Sequence, residues 1–100
     1  IKMKIEYEGK TITITDTKDI GTIENILVNS KYNNEICNGI NTHKIILNND
    51  VYYIKESCKE IQKGNKQAII STEDLETINN IIFNKMDNEQ SQEEISTQNK

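Results

Sequence analysis

The sequence holds one histidine and two cysteines, so any thiol or hydroxyl nucleophile that needs an imidazole base must use His43. Cys37 lies six residues before it, within an Asn-rich stretch, and Cys58 follows later in the chain. Unless that stretch folds back, the pattern describes a small buried thiol and an exposed His. The same three residues do not make a structural zinc site, because they supply three ligands and no Cys-x-x-Cys pair. Gly9, Gly21, Gly39 and Gly64 sit in four different segments. A P-loop or a dinucleotide fingerprint needs clustered glycines opening a helix, so neither is present. The neighbouring carboxylates Glu73 and Asp74, and Glu93 and Glu94, fall where a helix start and a solvated tail use them. No cofactor or metal is expected.

Two further sets of residues could bind rather than react. Lys55, Lys59 and Lys63 recur every four residues, with Lys66 beyond them. With His43 and the Asn-rich stretch they could contact phosphates and base edges, which gives one functional expectation: an oligomer that sequesters a signalling nucleotide. Tyr52 and Tyr53 are adjacent on a strand and must point to opposite faces, and Tyr32 lies in the long loop. Tyr is enriched at interfaces. Tyr32, Tyr52 and Tyr53, with Glu6 and Glu8, are therefore the candidate contacts to a protein partner.

The elements that must position these residues follow from periodicity. Met3, Ile5 and Tyr7 alternate with charged residues, and Ile12 and Ile14 alternate with Thr after Gly9. This predicts a β-hairpin with one wet face, turning at Glu8-Gly9 or Gly9-Lys10. Ile20, Ile23 and Leu27 predict a helix over roughly 18–30, capped by Asp16, Thr17 or Asp19. Residues 29–43 read as a long surface loop pinned by Ile36 and Ile40. A second hairpin follows over 44–55. With Asn49-Asp50 as its turn, Leu47 faces Tyr52 and Ile45 faces Ile54. Ile46 and Tyr53 make its other face apolar too, so it should be central and covered on both sides. A short helix over 56–63 stopped by Gly64-Asn65, a brief strand over 67–70, and a helix from Ser71 to about Met86 complete the order. Residues 1–86 thus form one compact domain, and 87–100 an acidic, flexible tail.

The expected fold is α+β, with a small, mainly antiparallel sheet built from two hairpins, a crossover helix and a C-terminal helix. It is loosely similar to a β-grasp, in which a helix crosses the sheet after an opening hairpin. A chain of 100 residues with 34% hydrophobic content supports only a small core. Net charge is −4, and all cations are Lys, with no Arg. Nucleic-acid binders need cations to displace counterions and favour Arg at phosphate and guanine, so such a partner is not expected. No stretch reaches the ~20 apolar residues of a membrane span. The chain begins with Ile, so an initiator and a few residues are expected ahead of it. A lone cysteine pair gives little sign of an oxidised scaffold, and two reduced thiols in a cytoplasm are the expectation.

Ile, Asn and Lys, which dominate the sequence, have A/T-rich codons, as in the coding DNA of low-GC bacteria, their phages and their plasmids. In general character the chain resembles phage-encoded inhibitors of bacterial defence, such as anti-CRISPR proteins, which are often small, acidic and without motifs. That resemblance is one of composition and covers no specific residue. It implies a non-enzymatic module that occludes another protein, with Glu6, Glu8, Asp16, Asp19 and the tail as possible imitators of phosphates. The sheet that the chain cannot cover alone implies a partner or a second copy.

Overall fold

A computed structural model describes residues 1–35 and 37–98. The opening alternation forms β1 (Met3–Tyr7) and β2 (Lys10–Ile14), antiparallel, with Ile5 opposite Ile12 and Tyr7 opposite Lys10. Glu8 and Gly9 make the turn at φ of 49° and 76°. Two positive φ values match the right-handed twist of the strands. Helix α1 (Thr17–Asn29) follows, and the Asp16 side chain accepts hydrogen bonds from the amides of Lys18 at 2.8 Å and Asp19 at 3.1 Å. Those are two of the amides that a helix start leaves unpaired.

The second hairpin is β3 (His43–Leu47) and β4 (Asp50–Lys55). Its turn is Asn48-Asn49 rather than Asn49-Asp50, so Leu47 faces Asp50 and Ile45 faces Tyr52. Asn48 takes φ +57°, a left-handed conformation that Asn adopts at low cost. The register moves by two residues against expectation, which leaves every side chain on the expected face. The expected helix over 56–63 is not formed. Glu56–Cys58 make one 3-10 turn, Lys59 ends it at φ 50°, and the chain continues as β5 (Glu60–Lys63). Gly64-Asn65 turns a third hairpin into β6 (Lys66–Ile69). The spacing of Ile54 and Ile61 that suggested a helix places them opposite each other on neighbouring strands.

The six strands run in the order β2-β1-β3-β4-β5-β6, every neighbouring pair antiparallel. The second hairpin is central, as expected, but it is not covered on both sides: Ile46, Val51 and Tyr53 on its outer face are only half-buried. Likeness to a β-grasp goes no further than the helix that follows the first hairpin. Helix α2 (Thr72–Gln98) starts with the Ser71 hydroxyl accepting from the Asp74 amide. It continues beyond Met86, its expected end, through a stretch free of Gly and Pro. Of the tail expected to be flexible, Asn99 and Lys100 lie outside the described residues.

Both helices pack on one face of the sheet. Ile20, Ile23 and Leu27 of α1 and Leu75, Ile78 and Ile82 of α2 join Met3, Ile5, Ile45, Ile54 and Ile61 in a single buried cluster. The opposite face carries the alternate residues: Lys4 and Glu6 of β1, Thr11 and Thr13 of β2, Lys44 and Ile46 of β3, Val51, Tyr53 and Lys55 of β4, Glu60 and Gln62 of β5, and Gln67 and Ile69 of β6.

Candidate functional site

Both helices pack on the core face, yet part of the outer face is buried. Lys55, Glu60 and Gln67 are only 9%, 8% and 4% exposed. The cover is the segment between α1 and β3. Asn33 exchanges backbone hydrogen bonds with Gln67 at the free edge of β6, at 2.7 and 2.9 Å. Further on, the peptide groups of Cys37 are clamped from below. The Cys37 amide donates to Glu60 Oε1 at 3.2 Å, and the Lys55 ammonium donates to the Cys37 carbonyl at 3.0 Å. Two buried charges are thereby satisfied by one residue of the loop. Thr42 ends the crossing, its amide donating to the Ile54 carbonyl at 2.7 Å.

Cys37 and Cys58 are joined in a disulfide with Cα atoms 6.4 Å apart, which corrects the expectation of two reduced thiols. Of the two residues expected to pin the covering segment, Ile40 does not. Ile40 is 79% exposed, and Ile36 lies outside the described residues.

The cover takes in Lys55 at the end of β4 but leaves Tyr53 half-buried and stops short of β1–β3, and an open hollow of about 480 Å³ lies at its margin. Its floor is a cross-strand row, Glu6 opposite Lys44 and Lys44 opposite Tyr53. Ile40, Asn41 and Thr42 form the side next to the disulfide, and Glu8 and Gly9 the far side. The Lys44 ammonium is 3.9 Å from Glu6, an exposed pair worth about 1 kcal/mol at most. On the same face a second hollow of similar volume is lined by Lys2, Lys4, Thr13, Ile46 and Asn48. The uncovered surface thus combines half-buried Tyr53, Ile46 and Val51, exposed Ile40, and both signs of charge.

Beneath this margin, on the core side, sits a polar cluster. The His43 ring is 1% exposed, with Nε2 2.8 Å from Asn79 Oδ1 and Nδ1 2.8 Å from the Thr42 hydroxyl. Asn79 Oδ1 can only accept, so Nε2 carries the proton and the neutral ring accepts from Thr42 at Nδ1. Asn79 donates in turn to Glu56 at 3.5 Å, which fixes the orientation of its amide. Burial pushes the His43 pKa below its ordinary value, against the opposing influence of Asn79, Glu56 and Glu8. Tyr7 lies against the imidazole at 4.7 Å between centroids and meets Phe83 edge-on at 5.7 Å. Burial first, then the charges of Glu56 and Glu8, pushes its hydroxyl up.

The candidate residues separate cleanly on this geometry. Glu6, Glu8 and Tyr53 come together at the hollow. Tyr52 is in the core, and Tyr32 packs on it while donating to the Leu27 carbonyl at 2.7 Å. Burial, then the nearby Tyr52, pushes the Tyr32 hydroxyl up to about 12. The residues expected to bind a nucleotide are not brought together. His43 faces the core, Lys55 holds Cys37, Lys59 donates to Thr72 at 3.0 Å, and Lys63 is 3.7 Å from Asp50 with its ammonium over the Tyr52 ring. Nor does His43 meet a thiol, since its ring nitrogens bond Thr42 and Asn79 and both sulfurs are joined to each other. Reasoning from sequence missed Glu60 and Gln67 as the buried outer-face pair of Lys55. The pairings that carry them, Glu60 opposite Lys55 and Gln67 opposite Gln62, belong to strands that the apparent helical periodicity concealed.

Among the described residues no group of three or more His, Cys, Asp or Glu is placed to hold a metal, and no helix is long and apolar enough to cross a membrane. Comparison with protein-family models, with curated proteins and with solved structures returns no match.

Proposed function

We propose that the chain is a non-enzymatic protein-binding module that occludes a partner through the uncovered part of its outer sheet face. The observation that supports this reading is the hollow in which Tyr53, Ile40, Glu6, Glu8 and Lys44 converge beside the disulfide-held segment. A Tyr with apolar neighbours and a charged rim is the make-up of an interface hot spot. The acids of the rim favour a partner surface with basic groups around an apolar centre. Compositional likeness to phage-encoded inhibitors of bacterial defence makes a component of such a system the partner class to test first, with the cytoplasm as its setting.

The test places a photo-reactive phenylalanine analogue at Tyr53 or, as a control, at the exposed Glu24 of α1, in the full chain. Irradiation in an extract of a low-GC bacterium should join position 53 to one protein, with competition by unlabelled wild-type chain and none from Tyr53→Ala. Position 24 should give no such adduct. Equal labelling from both positions, or none from 53, overturns the reading.

A further inference from the structure

We propose that the Cys37–Cys58 disulfide is the reducible lock of a strap, residues 33–35 and 37–42, whose last three residues form one side of the Tyr53 hollow. Among its described residues the strap contains no helix and, beyond the single bridge of Asn33, no strand pairing. It is held at its ends by Asn33 on Gln67 and Thr42 on Ile54, and between them by the Lys55 and Glu60 clamp and the disulfide. Gly39 shows how closely the chain crosses that bond. A Cβ there would lie 2.6 Å from Ser57 Oγ, 2.8 Å from Cys58 Sγ and 3.2 Å from Cys37 Sγ. Below the strap, Gln67 Oε1 is buried with no hydrogen-bond partner, a cost that favours local opening.

The two sulfurs differ in the way that thiol–disulfide exchange requires. As whole residues, Cys58 is exposed and Cys37 half-buried, and on that basis attack by an incoming thiolate is assigned to Cys58 Sγ. The new bond forms there, the Cys37–Cys58 bond breaks, and Cys37 leaves with the electron pair as a thiolate. The Gly39 amide, 3.1 Å from Cys37 Sγ, donates a hydrogen bond to that leaving group and so eases its departure. A second thiolate then attacks the mixed disulfide and frees Cys58. Two molecules of a low-molecular-weight thiol become one disulfide, and the protein takes up two electrons and two protons.

Once the lock is open, Ile40, Asn41 and Thr42 no longer form a fixed side of the hollow. That consequence for binding rests on the function proposed above, whereas the release of the strap does not. The experiment therefore needs no partner. Oxidised wild-type chain is exposed briefly to glutathione, quenched with acid and mapped by peptide mass spectrometry, and fully reduced chain is compared with oxidised chain by amide hydrogen exchange. Glutathione should be found predominantly on Cys58, and exchange across 34–42 should rise at least about tenfold on reduction while Ile5, Ile45 and Ile54 stay protected. Adducts predominantly on Cys37, unchanged exchange across 34–42, or loss of protection throughout the sheet each overturn the lock. Failure of the Tyr53 cross-link would leave both readouts as they are, so the two ideas fail separately.

Discussion

His43 can be satisfied in either protonation state, but burial favours the neutral one. When the ring gains a proton, Nδ1 donates to the Thr42 hydroxyl, whose own hydrogen can turn to the Ile54 carbonyl 3.0 Å away. The folded-state pKa lies below the ordinary 6.5, so the unfolded chain binds this proton more readily. The contribution to stability is complete above about pH 6.5 and is lost as pH falls from there toward the folded value. Thermal melts between pH 7.5 and 5.5 should show the midpoint declining, and the decline should shrink in His43→Gln. An equal slope in both chains would show that His43 is not its source. A second residue-scale test concerns the clamp on Cys37. Lys55→Met leaves the Cys37 carbonyl without its donor and should cost about 2 kcal/mol in denaturant melts. Adding Glu60→Leu should cost less than the two single losses combined, because both side chains hold the same residue, Cys37. At this scale the opposite facing of Tyr52 and Tyr53 was legible, since strand geometry alone dictates it. Burial of Lys55, Glu60 and Gln67 was not, because it depends on a loop that carries no periodicity.

The elements were legible wherever periodicity and turn chemistry agreed. The first hairpin, α1 with its Asp16 cap, and the start of α2 at Ser71 each follow from a few neighbouring residues. The third hairpin was hidden because Ile54, Cys58 and Ile61 mimic helical spacing, and only the left-handed Lys59 reveals that the chain turns back. Turn residues are accordingly the sensitive points. Gly9 sits at φ 76° with nothing within 4 Å of the place a Cβ would occupy, so Gly9→Ala introduces backbone strain and no clash. It should lower stability by about 1–2 kcal/mol. Asp16→Ala should cost about 1 kcal/mol through two freed helix amides. A denaturant midpoint unchanged in either variant would show that these local devices do not specify their elements.

For the whole molecule, the shortage of core-forming residues has a concrete consequence. Two helices cover one face of a six-stranded sheet, and a loop with one strand bridge and no helix among its described residues covers only part of the other. The apolar character of both faces of 44–55 was legible and correctly placed that hairpin in the centre. What lies over it was not legible, because a loop and a disulfide between residues 21 apart in sequence are settled by tertiary contacts. Removing that link, with Cys37→Ser and Cys58→Ser together, should cost about 3 kcal/mol through the freedom regained by the unfolded chain. The remaining open surface is the centre of the account, and it is tested most directly by titration calorimetry with the protein cross-linked at Tyr53. Tyr53→Ala should weaken binding at least about tenfold, while Glu24→Ala on the far side leaves it within about twofold. Unchanged affinity for Tyr53→Ala, with the fold intact by circular dichroism, would contradict a binding surface on the outer face of the sheet.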